Sequence, residues 1–320
     1  MPWFDLPEAD LATYRTKTEE PESLDTWWHS RLTSSRAAAQ PPTTTPYGED
    51  TYGPLKVWDV EFSGANGDRI RAWYLRPDTT EDLPTVITYI GYGGGRSVPA
   101  DHTLLPAAGY ATFVMDTRGQ GGRWSTGQTP DRAEAGPEHP GVMTRGITSP
   151  ETYYYTRLIT DAALAVEAAA SLPGVDPTRI AVSGASQGGG LALAAAALTT
   201  DAVRVCHADV PFLCDFHRAI TLTSADPYAE IANFLAHQTT LIPQALNTLR
   251  YVDAALLSRR ITATSLLSVG LMDEVCPPST VYAAYNEIKA PKQIAVFPFS
   301  GHQTPRTHEE TKLRHLHDNL

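Results

Sequence analysis

The sequence predicts an α/β fold in which a mostly parallel twisted sheet is flanked by helices. Strand-like runs alternate with helical ones along most of the chain, and consecutive parallel strands need such crossover helices. In addition, 320 residues with 42% hydrophobic content can bury one large core. We therefore expect a single domain over residues 1–320, with an N-terminal extension over 1–50 and a helical insertion over 211–260.

The N-terminal extension combines acidic helical stretches with a Trp27-Trp28 pair and a Pro/Thr run over 41–46. This run predicts an extended connector, because proline fixes φ and biases the preceding residue away from helix. The tryptophan pair is better explained as a packing anchor than as a ligand platform, since each ring buries a large area.

Beyond the extension, residue patterns predict each element of the sheet. Apolar and polar residues alternate over 57–62 and 69–75, and the Gly/Asn-rich turn between these runs predicts a hairpin. The run 152–172 has helical periodicity suited to packing on a sheet. Further strands are predicted at short apolar runs: 85–90, 111–116, 203–210, 265–269 and 293–297.

A Gly-x-Ser-x-Gly pattern at 184–188 lies between a β-prone run and an Ala/Leu-rich helical run. We interpret Ser186 as a nucleophile on a tight strand-to-helix turn, where side chains at 184 and 188 would collide with neighbouring backbone. The start of the helix would aim free N–H groups at the same place. The bare pattern is more often an ordinary glycine-rich turn, but its flanks and its downstream partners favour catalysis.

Two such partners follow predicted strands near the end of the chain, Asp273 and His302. A serine needs a base to take its proton, and a carboxylate on the far ring nitrogen orients that base. The order Ser, Asp, His is that of α/β hydrolases. Asp273 could instead be a turn or helix-cap residue, and Glu274 is an alternative acid.

Other acids and histidines compete less well for these roles. Asp215 lies in the insertion, and Asp253 lies in a helical stretch. His308, His315 and His317 fall on a charged C-terminal helix, where solvated histidines are expected.

Oxyanion donors are expected from two backbone N–H groups, those of Tyr92 and Gln187. Tyr92 lies in a glycine-rich loop, 91–96, whose backbone can approach a substrate closely. A phosphate-binding loop is the rival interpretation. It fails because no Lys-Ser/Thr follows and no Gly-x-Gly-x-x-Gly opens a helix.

Charge and composition restrict the partners. The net charge of -11 disfavours nucleic acid and anionic membrane surfaces. Cys206, Cys214 and Cys276 show no CxxC spacing, which favours reduced, packed thiols. No signal peptide and no membrane-spanning run is visible. We therefore expect a cytoplasmic protein that acts on small substrates.

Several motifs together resemble one family, the acetyl xylan esterases and cephalosporin C deacetylases, which form the seventh family of carbohydrate esterases. The shared segments span nearly the whole chain: 4–7, 91–95, 116–121, 144–147, 153–155, 184–190, 211–216, 270–273, 276–280 and 284–286.

The resemblance implies that Ser186, Asp273 and His302 form the triad and that the N–H groups of Tyr92 and Gln187 form the oxyanion hole. It implies a bracing role for Arg118 and Gln120. It also implies a homohexamer whose sites face an inner cavity, and small acetylated substrates such as acetylated xylo-oligosaccharides and cephalosporin C. The reaction needs no metal and no organic cofactor.

The chain departs from the family pattern at two positions. Gln303 stands where the family usually has Glu, in a place expected to support His302, and Gly93 stands where Asn is common. A preference for short acyl groups is expected from bulky residues near the elbow: Tyr92, Pro211 and Phe212. Three alternatives remain open: a broader short-chain carboxylesterase, a peptidase on the same fold, and a non-catalytic receptor on a hydrolase scaffold.

Overall fold

The computed structural model describes residues 3–48, 51–132 and 141–320. Residues 1, 2, 49 and 50 of the predicted N-terminal extension, together with 133–140, lie outside the described residues. The described strands are β1 Thr43–Pro46, β2 Leu55–Ser63, β3 Arg69–Pro77, β4 Leu83–Tyr89, β5 Ala111–Met115, β6 Val175–Ala185, β7 Val203–Asp209, β8 Thr264–Gly270 and β9 Lys292–Phe297.

These strands form a nine-stranded sheet in the order β1-β2-β3-β5-β4-β6-β7-β8-β9. The strands from β4 onward pair in parallel, whereas β1, β2 and β3 add an antiparallel edge. The predicted fold class and the predicted hairpin, now β2 and β3, are therefore confirmed. The carboxyl ends of the parallel strands meet at one edge, where ligands bind in sheets of this kind.

Helices cover both faces of this sheet. They are α1 Glu8–Leu11, α2 Leu24–Ala37, α3 Leu104–Ala107, α4 Tyr154–Ala170, α5 Gln187–Leu198, α6 Phe216–Leu222, α7 Tyr228–His237, α8 Ile242–Val252, α9 Ala254–Leu257, α10 Pro278–Glu287 and α11 His308–Asn319.

Alternation along the central strands explains the two layers. On β4, Ile87 packs into the larger core with α4 and α5, while its neighbour Val86 packs with Leu316 of α11. Successive strand residues point to opposite faces, so the apolar run of β4 supplies both cores at once.

The N-terminal segment is held by its tryptophans. Trp28 is buried and its Nε1 donates to the Tyr251 carbonyl on α8 at 2.8 Å. The Trp27 ring contacts the Trp28 and Tyr251 rings, with centroids 5.0 Å apart in each case. The predicted packing role is confirmed. The Pro/Thr run is extended, as predicted, and within it β1 pairs with β2 as an edge strand.

Between β7 and β8 the chain forms the helices α6 to α9. All three cysteines are buried free thiols, as the sequence predicts. Among the residues that the structure describes, no helix combines the length and apolarity needed to cross a bilayer.

Candidate active site

Ser186 occupies the turn between β6 and α5 in a backbone conformation that non-glycine residues rarely adopt, with φ 56° and ψ -121°. Its N–H donates to the Asp209 carbonyl at 2.9 Å. Its own carbonyl accepts the N–H groups of Gly190 and Phe212 at 3.0 and 2.9 Å. Three backbone hydrogen bonds therefore hold the strained residue in place and fix the direction of its side chain.

The glycines on either side of Ser186 are required by close backbone contact. A Cβ on Gly184 would lie 2.3 Å from the Gly188 carbonyl carbon, and a Cβ on Gly188 would lie 2.2 Å from the Tyr89 oxygen. Both distances are far below van der Waals contact. The collisions predicted from the sequence are therefore confirmed.

Ser186, His302 and Asp273 form one chain of hydrogen bonds. The Ser186 Oγ lies 2.8 Å from His302 Nε2, and His302 Nδ1 lies 2.8 Å from Asp273 Oδ2. With its proton on Nδ1, the imidazole donates to the carboxylate and leaves Nε2 free to accept from the serine hydroxyl.

The carboxylate is held from its other side. Asp273 is fully buried, and its Oδ1 accepts the N–H groups of Val275 and Cys276 at 2.8 and 2.9 Å. The alternative acid Glu274 is exposed and has no hydrogen bond to His302 in the described structure. Asp253 caps α9 and accepts the N–H groups of Asp215 and Phe216, away from the imidazole.

The expectation of solvated histidines on the C-terminal helix is wrong for two of the three. His308 and His315 are buried, and only His317 is exposed. His308 Nε2 donates to Asp209 Oδ1 at 2.9 Å, and His315 Nδ1 lies 3.0 Å from His207 Nε2. Partners on β7 therefore replace the solvent at one ring nitrogen of each buried imidazole.

Asp209 links the elbow to α11. Its backbone carbonyl holds Ser186, while its carboxylate accepts from His308, from the Lys312 Nζ at 2.9 Å and from the Ser268 Oγ at 2.8 Å. Burial opposes ionisation of this carboxyl, but His308 and Lys312 hold its pKa below the ordinary value. The carboxylate is therefore a buried anion with its hydrogen bonds satisfied.

The backbone N–H groups of Tyr92 and Gln187 lie near the serine and have no partner among the described residues. Gln187 is the first residue of α5, where helix geometry leaves the N–H unpaired. Tyr92 follows β4 and lines the same cavity as Ser186. Unpaired donors at this place can bind a negatively charged oxygen.

The Tyr92 side chain is fixed away from the serine. Its hydroxyl donates to Glu230 Oε1 at 2.5 Å and accepts the Val142 N–H at 3.0 Å. Burial first, and then the Glu230 carboxylate, raise the pKa of the Tyr92 phenol. The phenol therefore stays protonated and anchors the loop to α7.

Gln120 and Gln187 brace the loop and the elbow against each other. The Gln120 Oε1 accepts the Gly93 N–H at 2.6 Å, and its Nε2 donates to the Tyr154 hydroxyl and to Gln187 Oε1, both at 2.9 Å. Gly93 has φ +78°. The glycine that departs from the family pattern is thus tied down by a side chain.

Arg118 lies behind this layer and is fully buried. Its Nε and Nη2 bind the two Asp161 carboxylate oxygens at 2.6 and 2.8 Å, and its Nη1 lies 3.0 Å from Asp68. Its carbonyl accepts the Tyr154 hydroxyl. It does not line the cavity, and it joins the turn before β3, helix α4 and the loop after β5.

The serine opens onto a cavity of about 710 Å³. Of the three residues predicted to form the acyl pocket, only Tyr92 lines it. Pro211 and Phe212 are buried behind the wall, and the Phe212 ring packs against Tyr228 with centroids 4.4 Å apart. Phe212 therefore has a packing role, because aromatic neighbours surround it in the core, and Pro211 is buried next to it in the chain.

Gln303 also differs from its expected place. Its side chain is exposed, lines the cavity and has no hydrogen-bond partner among the described residues. It therefore faces solvent and any bound substrate and does not support His302 from behind.

Several cavity residues were missed from the sequence: Arg123, Trp124, Asp226, Pro227, Val275, Glu309 and Lys312. The role of Asp209 in holding Ser186 was missed as well. The position of Asp209 at the carboxyl end of a predicted strand could have indicated this role.

Comparison with known proteins assigns the family. The acetyl xylan esterase (AXE1) family model matches residues 1–319. The chain belongs to the acetyl xylan esterase family. An acetyl xylan esterase from Paenibacillus sp. R4 superposes with a TM-score of 0.92 at 34% identity, covering 98% of this chain and 100% of its own. Acetyl xylan esterase 1 from Thermoanaerobacterium sp. JW/SL YS485 gives 0.91 at 32% identity, covering 98% and 99%.

A further relative, the acetyl esterase Axe7A of Xylanibacter ruminicola, is 26% identical over 298 residues. The match covers 92% of this chain and 66% of that longer relative. Membership of the acetyl xylan esterase family supports acetyl xylan esterase activity for this chain.

Proposed function

We propose that the chain is a serine esterase that removes acetyl groups from small O-acetylated substrates through an acetyl-enzyme. The observation that carries the proposal is the unbroken hydrogen-bond chain from Ser186 Oγ through His302 to the buried Asp273 carboxylate. A serine hydroxyl in that setting can be deprotonated as it attacks a carbonyl carbon.

In the first half of the reaction, His302 Nε2 accepts the hydroxyl proton while Ser186 Oγ bonds to the acetyl carbon. The negative charge moves to the carbonyl oxygen, where the N–H groups of Tyr92 and Gln187 stabilise it. His302 then gives its proton to the alcohol oxygen as the ester bond breaks. Alcohol leaves, and the acetyl group remains on Ser186.

In the second half, water attacks the acetyl-enzyme while His302 accepts a proton from it. Collapse of this second intermediate breaks the bond to Ser186, and His302 returns the proton to the serine oxygen. Acetate leaves and the enzyme is regenerated. Asp273 keeps the imidazole in the required tautomer and stabilises its charged form.

The substrate class rests on size and on the relatives. A cavity of about 710 Å³ suits a molecule the size of an acetylated di- or trisaccharide better than a long polysaccharide chain. The solved relatives are named for acetyl xylan and the Xylanibacter relative for acetyl esters. The acetoxymethyl group of cephalosporin C presents the same acetyl ester and is proposed as a second substrate.

The test is acetate release from acetylated xylobiose and cephalosporin C, with p-nitrophenyl acetate and butyrate as an acyl-length series. Ser186→Ala should lose hydrolysis of every ester, while Ser183→Ala, on the same strand and cavity wall but without a bond to His302, should retain it. A pre-steady-state burst should appear wherever deacetylation is slow. Equal activity of wild type and Ser186→Ala would falsify the proposal.

A further inference from the structure

Trp124 is an exposed tryptophan on the wall of the catalytic cavity. Its relative exposure is 62%, and it lines the cavity together with Ser186 and His302. A tryptophan has a large apolar ring that proteins usually bury. An aromatic ring left open beside the nucleophile suggests that a ligand covers it.

The ring is held in one orientation although it is exposed. Its Nε1 donates to the Tyr92 carbonyl at 2.7 Å. Its six-membered ring also packs on the glycine loop, where a Cβ added to Gly94 would lie 2.3 Å from Trp124 Cζ2. Any side chain at 94 would therefore displace the indole. A ring that is already fixed loses little conformational freedom when a ligand binds.

Polar side chains without partners lie on the same cavity wall. Arg123, Asp226 and Gln303 line it and are exposed, and none of the three side chains has a hydrogen-bond or ion-pair partner among the described residues. Together they offer guanidinium and amide donors and carboxylate and amide acceptors. One flat apolar ring beside unsatisfied donors and acceptors matches a ligand with an apolar face and a polar rim.

We infer that Trp124 is a stacking platform for the sugar ring that carries the acetyl group, and thus a specificity-determining residue. The C–H groups on one face of a pyranose carry partial positive charge and are attracted to the negative face of the indole. The hydroxyls around the ring can then reach Arg123, Asp226 and Gln303. This inference rests on the proposed esterase function and names the substrate feature that the site selects.

The experiment measures binding and turnover separately. In a Ser186→Ala background, calorimetry gives the Kd of acetylated xylobiose for the parent and for Trp124→Leu, Trp124→Phe and Tyr47→Leu. In active enzyme, kcat and KM are measured with acetylated xylobiose and with glycerol triacetate, which has no ring. Tyr47 is a matched control because it is 41% exposed and does not line the cavity.

Trp124→Leu should raise the Kd and KM for the sugar about tenfold, and its effect on glycerol triacetate should be no larger than that of Trp124→Phe. Trp124→Phe keeps a flat face and should stay within about threefold. Both variants lose the indole N–H bond to the Tyr92 carbonyl. A difference between them therefore reports the aromatic face and not the anchoring of the loop.

Three results would overturn the inference. Equal losses on both esters in both Trp124 variants would make the residue a support for the Tyr92 loop. Unchanged sugar binding in Trp124→Leu would remove the platform. A change in oligomeric mass on size-exclusion chromatography, with equal losses on both esters, would make the ring a contact between copies. Wild type that binds acetylated xylobiose through Trp124 without hydrolysing any ester would instead contradict only the esterase function.

Discussion

The side-chain amides of Gln120 and Gln187 meet directly, with Gln120 Nε2 donating to Gln187 Oε1 at 2.9 Å. Gln187 Oε1 also accepts a hydrogen bond from the Tyr155 hydroxyl, and Gln187 Nε2 donates to the Ile90 carbonyl. The two residues that carry the proposed oxyanion donors, Tyr92 and Gln187, are therefore positioned by one shared network.

Replacing Gln120 should impair turnover more than binding. Gln120→Leu leaves the Gly93 N–H without an acceptor, which costs about 1–3 kcal/mol in stability and loosens the loop that presents the Tyr92 N–H. We expect kcat for p-nitrophenyl acetate to fall with little change in KM. Gln120→Glu retains an acceptor for Gly93 but cannot donate to Gln187. If kcat fell and KM rose by the same factor, the positioning role would be contradicted.

Asp273→Asn should lower kcat by a factor on the order of 10⁴, as expected when the imidazole is held in the wrong tautomer. The fold should survive, because asparagine can still accept the N–H groups of Val275 and Cys276. Glu274→Gln is the matched control at the next position and should retain wild-type rates. If Glu274→Gln were the inactive variant, the acid of the triad would have been assigned to the wrong residue.

Gly188→Ala should be strongly destabilising, since its Cβ would lie 2.2 Å from the Tyr89 oxygen and backbone would have to move. We expect a loss above about 3 kcal/mol in urea denaturation, together with loss of activity. Gly122→Ala is the control, because no atom lies within 4 Å of its added Cβ. Its stability should stay within about 0.5 kcal/mol of wild type. Similar stability of the two variants would show that the elbow can relax.

His207 should make the protein less stable as the pH falls below neutrality. Burial, followed by repulsion from His315, lowers the pKa of His207 to about 3 in the folded protein. In the unfolded chain an ordinary histidine binds its proton near pH 6.5. Between these values the unfolded state holds more protons, so the free energy of unfolding decreases as pH decreases.

The measurement is urea denaturation of wild type and His207→Gln at pH 7 and pH 5. Wild type should lose about 2 kcal/mol more than the variant over this interval. His317→Gln, at an exposed histidine, should behave like wild type. Parallel pH profiles for wild type and His207→Gln would mean that His207 does not titrate in this way.

Local patterns predicted the parts of the molecule that depend on local geometry. The elbow could be predicted because a side chain at Gly184 would collide with Gly188 within the turn itself, and one at Gly188 would collide with Tyr89 on the neighbouring strand. The hairpin and the parallel strands followed from alternation and apolar runs. Asp273 and His302 could be inferred because each follows a predicted strand at the functional edge of the sheet.

Features that depend on distant partners could not be predicted in the same way. His308 and His315 are polar residues on a charged helix, and their buried hydrogen-bond partners, Asp209 and His207, lie about a hundred positions away. Phe212 was placed in the site because it is bulky and close to the elbow. Whether a bulky residue faces a cavity or the core depends on packing that a single sequence does not display.

The hydrogen bonds of Asp209 matter to anyone who would engineer this protein. Helix α11 has the composition of a surface helix that could be recharged to improve solubility, and Lys312 would be an obvious target. Yet the Lys312 ammonium neutralises the Asp209 carboxylate, and the Asp209 backbone carbonyl accepts the Ser186 N–H. Charge reversal at Lys312 would place a second negative charge beside a buried carboxylate, and mutagenesis for solubility should therefore avoid this helix face.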